Sequence, residues 1–328
     1  MTVAEIFGSP SQAVTRLGGR FRLDERISVG DHISGTCGPS LETGGLSLWK
    51  ATDELLGRPV TIYLLPAGRP VPPGLVAAVQ GAAKVSDSRL ARIFDTDFSA
   101  DRPYIVSEWA PGTHLEDLLV SGLPTPALAA AMIADAADAL AVAHQAGRPH
   151  LRLTPRSLRW DNSIGLKITG LGLDAALCDW LGDSGLGDSG AGADEDPVLA
   201  DTRALARMLY ALLTGFWPGE EATALPPAPR HKGRVCTPRQ VRAGVPAILD
   251  AITYRALLGQ APDAPIRPLA PAGLAMALLG VARPSLLLVG APETDTEPAA
   301  GRLLGRRARH ARAREGLLHH TMLLRSAV

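Results

Sequence analysis

The sequence predicts a two-lobed α+β chain: a small antiparallel β lobe with one short helix, followed by a mainly helical lobe. Three observations carry this. Five short runs of β-branched, aromatic and aliphatic residues, broken by turn formers, occupy the first third: RFRLDERIS, LSLWKATD, RPVTIYLLP, RLARIFDTDF and RPYIVSEWA. From Thr125 onward the apolar residues recur at helical spacing instead. The 328 residues, 46% of them hydrophobic, are enough to bury a substantial core.

The elements follow in order. Between the third and fourth strands there is room for one short helix, around Gly74 to Ala83. Thr125-Pro126 reads as an N-cap with proline at the first helical position, and Gly147 as the residue just past the end. Leu128, Met132, Ala136, Leu140 and Val142 give that helix a buried face. A second helix is expected to start near Asp201 and close at Gly215, with Leu205, Met208, Leu209, Leu212 and Leu213 on one broad face. An acid at the start of an apolar helix satisfies free backbone N–H groups, so Asp201 is assigned a structural role. The segments TPRQVRAGVPAILDAITYRALLGQ and APIRPLAPAGLAMALLGVARP continue with capped helices.

Formal charge is zero and the pI is near 7.1, which gives no global field for nucleic acid and no specific nucleic-acid partner. Cys37, Cys178 and Cys236 lie far apart without metal-ligand spacing and read as free thiols of a reducing cytoplasm. No signal peptide is evident at the start. The apolar stretch LAPAGLAMALLGVARPSLLLVG is interrupted by Pro271, Arg283 and Pro284, as suits a buried helix rather than a span. The expectation is a soluble cytoplasmic protein.

The chemistry-bearing stretch is HLRLTPRSLRWDNSIGLKITGLG, residues 150–172. With DTRALARMLYALLTG it resembles the catalytic half of a protein kinase, in which HRDLKPxN, two short strands and DFG are expected. His150 matches the loop histidine, a packing and backbone-bonding residue, and His144 receives the same structural reading. Arg152 stands where a carboxylate accepts the proton of the incoming hydroxyl, and Thr154 where the loop lysine is expected. Ser157 replaces the asparagine metal ligand, and Gly170 the metal-binding aspartate. In RPVTIYLLP, Tyr63 takes the place of the phosphate-pairing lysine, and residues 66–86 contain no acid to pair with one. Gly30, Gly35, Gly38, Gly44 and Gly45 never fall into GxGxxG spacing. VSEWAPG resembles the hinge, so Ser107, Glu108, Trp109 and Ala110 are the residues that would meet a nucleotide if one binds.

This resemblance implies a catalytically inactive regulatory or scaffold protein with no cofactor and no metal site. The alternative is a divergent ATP-binding kinase or nucleotide-transferase enzyme, for which Asp161, Asp174 and Asp179 are the nearby spare carboxylates. Within the kinases the chain resembles actinobacterial pseudokinases associated with MviN-type lipid II flippases. That resemblance implies a Ser/Thr kinase and a phosphothreonine-reading forkhead-associated protein as partners in cell-wall control. Thr294 and Thr296, in the acidic ETDTEP segment, are the candidate phosphoacceptors. Residues 302–314 hold six arginines, a cluster suited to weak contact with an anionic membrane surface. The expected organisation is a flexible arm (1–17), the β lobe (18–110), the helical lobe (111–285) with a flexible acidic loop at 179–200, and a disordered basic tail (286–328).

Overall fold

The computed structural model describes residues 16–33, 41–181, 196–220, 223–258 and 269–282. Most of the expected N-terminal arm, Gly35 and Gly38, most of the acidic loop, the basic tail, Thr294, Thr296 and the 302–314 arginines lie outside the described residues. The chain divides into Met1–Leu287 and Leu288–Val328, and everything described belongs to the first unit.

The small lobe is a six-stranded antiparallel sheet. Its strands are β1 (Arg16–Leu17), β2 (Phe21–Ile27), β3 (Ser47–Asp53), β4 (Arg58–Leu64), β5 (Ile93–Asp97) and β6 (Tyr104–Glu108), in the order β1-β2-β3-β4-β6-β5. The five expected strands are all present, and β1 adds a two-residue edge pairing Arg16 with Arg22. Alternation decides the faces. Leu48 and Tyr63 are cross-strand partners on the side that meets the helices. Ala51, Val60 and Ile62 lie with Phe21 and Val106 in the core of the other face. Asp53 is buried and takes a two-pronged contact from Arg20, at 2.8 and 2.7 Å, which ties the β1–β2 turn to the β3–β4 hairpin.

A short helical turn, α1 (Val29–His32), follows β2, and Gly30 sits inside it rather than in an open phosphate loop. The expected small-lobe helix is α2 (Pro73–Ala82). The helical lobe begins with β7 (Thr113–His114), α3 (Leu115–Ser121) and α4 (Pro126–Gln145). Thr125 caps α4 by accepting from Leu128 N, and Gly147 takes a left-handed φ of 69° just beyond its end. Of the described helices, α4 alone is long and apolar enough to cross a membrane, but its alanine-rich faces are buried in the core of this lobe. The small side chains let α9 (Pro271–Ala282) pack along it.

Strand β8 (Leu158–Asp161) pairs with β7 on one side and with β9 (Gly165–Ile168) on the other. Helix α5 (Leu173–Leu181) then follows the Gly170-Leu171-Gly172 turn. The sequence pattern did not predict α5. Its Leu173, Leu177 and Leu181, spaced at i, i+4 and i+8, join Leu75 and Val79 of α2 and Tyr63 of β4 in one core that spans the two lobes. Helix α6 (Pro197–Thr214) starts earlier than expected: Asp196 caps it by accepting from Val198 N, and Asp201 lies inside the helix rather than at its cap. Gly215 closes it at φ 83°, as expected. The acidic stretch is therefore helical at both its ends. Strands β10 (Arg230–His231) and β11 (Arg234–Val235) form a hairpin, followed by α7 (Pro238–Val241) and α8 (Ala247–Leu258). The free-thiol reading is corrected at one position: Cys178 is disulfide-bonded and Cys236 is free.

Candidate functional site in the cleft between the lobes

The floor of the cleft is built by the segment after α4. His150 is fully buried, and its ring nitrogen Nε2 lies 2.8 Å from the Thr169 carbonyl, joining the loop to the end of β9. Asp201 accepts the backbone N–H groups of His150 and Leu151 at 2.7 and 2.9 Å, and its second contact at 2.7 Å is His144 Nε2. Both histidines thus have the structural roles expected of them. Asp201 also has its expected role, reached from inside a helix rather than from its start. Leu151 is held at φ 69°, a left-handed conformation that a branched side chain rarely adopts. The next residue is Arg152.

Arg152 makes no hydrogen bond or ion pair among the described residues, and its Nε is buried without a partner. Burial lowers its pKa, against the attraction of the Asp174 and Asp179 carboxylates. Ser157, buried, is turned into the loop: its Oγ accepts from Thr154 N and lies 3.2 Å from the Thr154 hydroxyl. The Thr154–Ser157 pair is therefore spent on holding the loop.

Gly170 has a φ of 79°, and a Cβ built on it would fall inside the carboxylate of Asp174. The space a side chain at 170 would enter is thus filled by an acid four residues later in the chain. Asp174 is 1% exposed, its Oδ1 has no partner, and burial raises its pKa to about 7 despite the opposing charge of Arg152. Of the three spare carboxylates, Asp174 alone enters the cleft buried. Asp161 caps its own turn through Ser163 N and Ile164 N, and Asp179 lies exposed on α5.

The roof is closed and uncharged. Tyr63 Oη lies 2.9 Å from His32 Nε2, and the two residues are 1% and 4% exposed. Burial, with the nearby charges of His114 and Arg159, pushes the His32 pKa down to about 3, so the ring is neutral. Burial raises the Tyr63 pKa well above its ordinary value. The lysine–glutamate pair that the sequence lacks is replaced by this neutral hydrogen bond. His32, His114 and Arg159 were not singled out in the sequence. They lie 45 to 127 residues apart along the chain, and only the fold assembles them.

At the back, Ser107 Oγ donates to the Arg92 carbonyl at 3.2 Å, and Glu108 pairs with Lys167 at 2.6 Å. Trp109 has Lys50 Nζ 5.0 Å and the Arg159 guanidinium 5.6 Å from its ring centre, and Ala110 is buried. Arg159 also donates to the Gly112 carbonyl at 2.6 Å and contacts His114 Nε2 at 2.8 Å. The expected hinge residues are thus brought together at one edge of the cleft. Gly112 has φ 91°, and a Cβ there would strike the Trp160 carbonyl. Gly112→Ala is expected to cost about 2–3 kcal/mol in urea unfolding, since neither the backbone angle nor the neighbouring strand can yield.

Solved structures share this architecture. Crystal structures of the Mycobacterium tuberculosis PknI kinase domain align at a TM-score of 0.56 and 17% identity, covering 81% of this chain and 96% of that one. The chain has a protein-kinase-like fold. In sequence it is related to the serine/threonine kinases. It is 28% identical to serine/threonine-protein kinase PknB of M. tuberculosis over 243 residues, 67% of this chain and 39% of that protein. It is 27% identical to PknB of Mycobacterium leprae over 256 residues, 72% of this chain and 40% of the relative. A probable serine/threonine-protein kinase of Streptomyces coelicolor is 31% identical over 183 residues, 52% of this chain and 24% of that protein. This kinase-like chain spans about two fifths of the length of the PknB relatives. No protein-family model matches it. The expectation of a non-enzyme is corrected by these relatives: they are named as protein kinases, and they point to a kinase enzyme.

Proposed function

We propose that this chain is a divergent nucleotide-dependent phosphotransferase of the serine/threonine kinase kind, with Asp174 supplying the carboxylate missing at Gly170. The observation that carries the reading is the Asp174 side chain itself: buried, without a partner on Oδ1, and lying in the space a Gly170 side chain would fill. A desolvated, unpaired carboxylate is costly to maintain unless something else compensates it, and such groups concentrate at functional sites. Asp174 would give a hard divalent cation one acidic ligand; among the described residues no group of three or more His, Cys, Asp or Glu could hold a metal ion, so the remaining ligands would come from phosphate and water. Such a cation, when bound, neutralises charge on the phosphate oxygens. Phosphoryl transfer passes through a loose transition state and depends mainly on positioning and charge neutralisation. The carboxylate missing at Arg152 is then a smaller loss than the one restored by Asp174.

The hydroxyl substrate is taken from the relatives: serine or threonine of a protein. The test is transfer of labelled phosphate from ATP to protein substrates and to the chain itself, with magnesium and with manganese. Turnover is expected to fall at least 100-fold in Asp174→Asn. Wild-type turnover no higher than that of the Asn variant, with either metal, refutes the reading.

The segment ETDTEP supports a second, compatible proposal: phosphorylation of Thr294 or Thr296 by a Ser/Thr kinase, then docking of a forkhead-associated partner in cell-wall control. Peptide mapping after kinase treatment decides it, since neither threonine carrying phosphate ends the proposal.

A further inference from the structure

We propose that Arg152 binds the phosphate groups of the ligand, so that the phosphate-binding charge has moved from the roof of the cleft, where Tyr63 stands, to its floor. The inference rests on the nucleotide reading and adds the residue that recognises the polyphosphate.

The roof offers no charge. Tyr63 and the neutral His32 satisfy each other at 2.9 Å, and both are buried. The floor carries Arg152, whose Nε is buried without a hydrogen-bond partner among the described residues. Arg152 forms no hydrogen bond or ion pair among the described residues, although two carboxylates lie close enough to attract it. Asp174 is one of them, yet no contact within ion-pair distance joins the two, and Asp174 Oδ1 is itself unpartnered. A guanidinium and a carboxylate that attract each other without meeting are together suited to a ligand bearing both signs. A polyphosphate with its divalent cation is such a ligand: anionic oxygens for Arg152, the cation for Asp174.

The backbone supports this placement. Asp201 grips the N–H groups on both sides of the His150–Leu151 bond, and Leu151 is kept at φ 69° immediately before Arg152. Strain held in place by a buried carboxylate fixes the direction in which residue 152 leaves the loop. Arginine's planar fork then suits phosphate in two-point contact.

The experiment measures binding, apart from turnover. Inorganic tripolyphosphate, adenosine and ATP are titrated by calorimetry into the wild type, Arg152→Met, Arg152→Lys and Tyr63→Phe, with and without magnesium. Tripolyphosphate and ATP are expected to bind the Met variant about ten-fold or more weakly than wild type, the Lys variant in between, and Tyr63→Phe within about two-fold of wild type. Adenosine should bind all four alike. Tripolyphosphate that does not bind the wild type, that binds the Met variant equally well, or that loses affinity in Tyr63→Phe instead overturns the proposal. Arg152→Gln takes the place of the Met variant if that one does not fold. The two readings separate cleanly. Arg152-dependent tripolyphosphate binding without any turnover removes only the enzyme. Turnover with an unchanged KM for ATP in Arg152→Met removes only the role of Arg152.

Discussion

Unfolding of the wild-type chain in urea is expected to show a free energy that falls as pH rises from about 4 to about 7, and Asp174→Asn should remove most of that fall. Asp174 has an ordinary carboxylate pKa of 3.8 when unfolded and about 7 in the folded chain, because burial disfavours its charged form. Between those two values the folded state holds a proton that the unfolded state has released. The stabilisation is therefore fully present below about pH 4 and is lost as pH climbs through 7. A shift of this size corresponds to about 4 kcal/mol across the window. Asparagine has nearly the same shape and no charge to desolvate, so the variant should exceed wild type in stability at pH 8 by a comparable amount. Comparing the two proteins at each pH cancels every other titrating group. Arg152 opposes the upward shift, so Arg152→Met should extend the fall to higher pH. Parallel pH profiles for wild type and Asp174→Asn would show that Asp174 titrates in the folded chain as it does in the unfolded one, and the floor of the cleft would then hold no desolvated acid.

A carboxylate that destabilises the fold at neutral pH is the kind of group that function retains. The same residue thus links the stability measurement to the activity measurement: Asp174→Asn is expected to gain in one and lose in the other. A purely structural acid would lose in the first.

Much of this site could be read from the chain alone, and the reasons divide by range. Thr125-Pro126, Gly147 and Gly215 are local signals, and the structure uses each of them as a helix end. The small-lobe strands announced themselves through β-branched and aromatic runs between turn formers. The substitutions at 63, 152, 157 and 170 followed from the order of motifs along the chain. What escaped was non-local or short. Helix α5 has only nine residues, and its three leucines make a face only because α2 and Tyr63 lie opposite. The Asp196-Pro197 start of α6 was legible as a cap followed by proline, but the motif match at Asp201 put the boundary at the wrong acid. The partnership of His32 with Tyr63 spans 31 residues, and no periodicity encodes it.

Replacing Asp201 with alanine is expected to cost about 3–5 kcal/mol at neutral pH, the range typical of breaking a buried charged network by removing one member. The carboxylate is 1% exposed and has three partners: His150 N, Leu151 N and His144 Nε2. Alanine leaves two backbone N–H groups buried without acceptors and one imidazole nitrogen without its contact. Asn can still accept at one oxygen, so Asp201→Asn should cost roughly half as much. The consequence reaches the cleft through Leu151, whose left-handed backbone is held by this grip. Without it, residue 151 can relax toward an ordinary conformation and swing Arg152 away. Tripolyphosphate affinity should then fall in Asp201→Ala although Asp201 touches no ligand. A second substitution separates this from general loosening. Leu151→Gly removes the roughly 1–2 kcal/mol penalty of the left-handed backbone. Leu151 is 44% exposed, so the change sacrifices only part of its packing. In the Asp201→Ala background it should restore part of the lost stability. In the wild type, where the loop is already gripped, it should leave the fold at least as stable. An Asp201→Ala variant that unfolds within about 1 kcal/mol of wild type would mean that the network does not hold the loop. The floor of the cleft would then owe its shape to something other than the carboxylate beneath it.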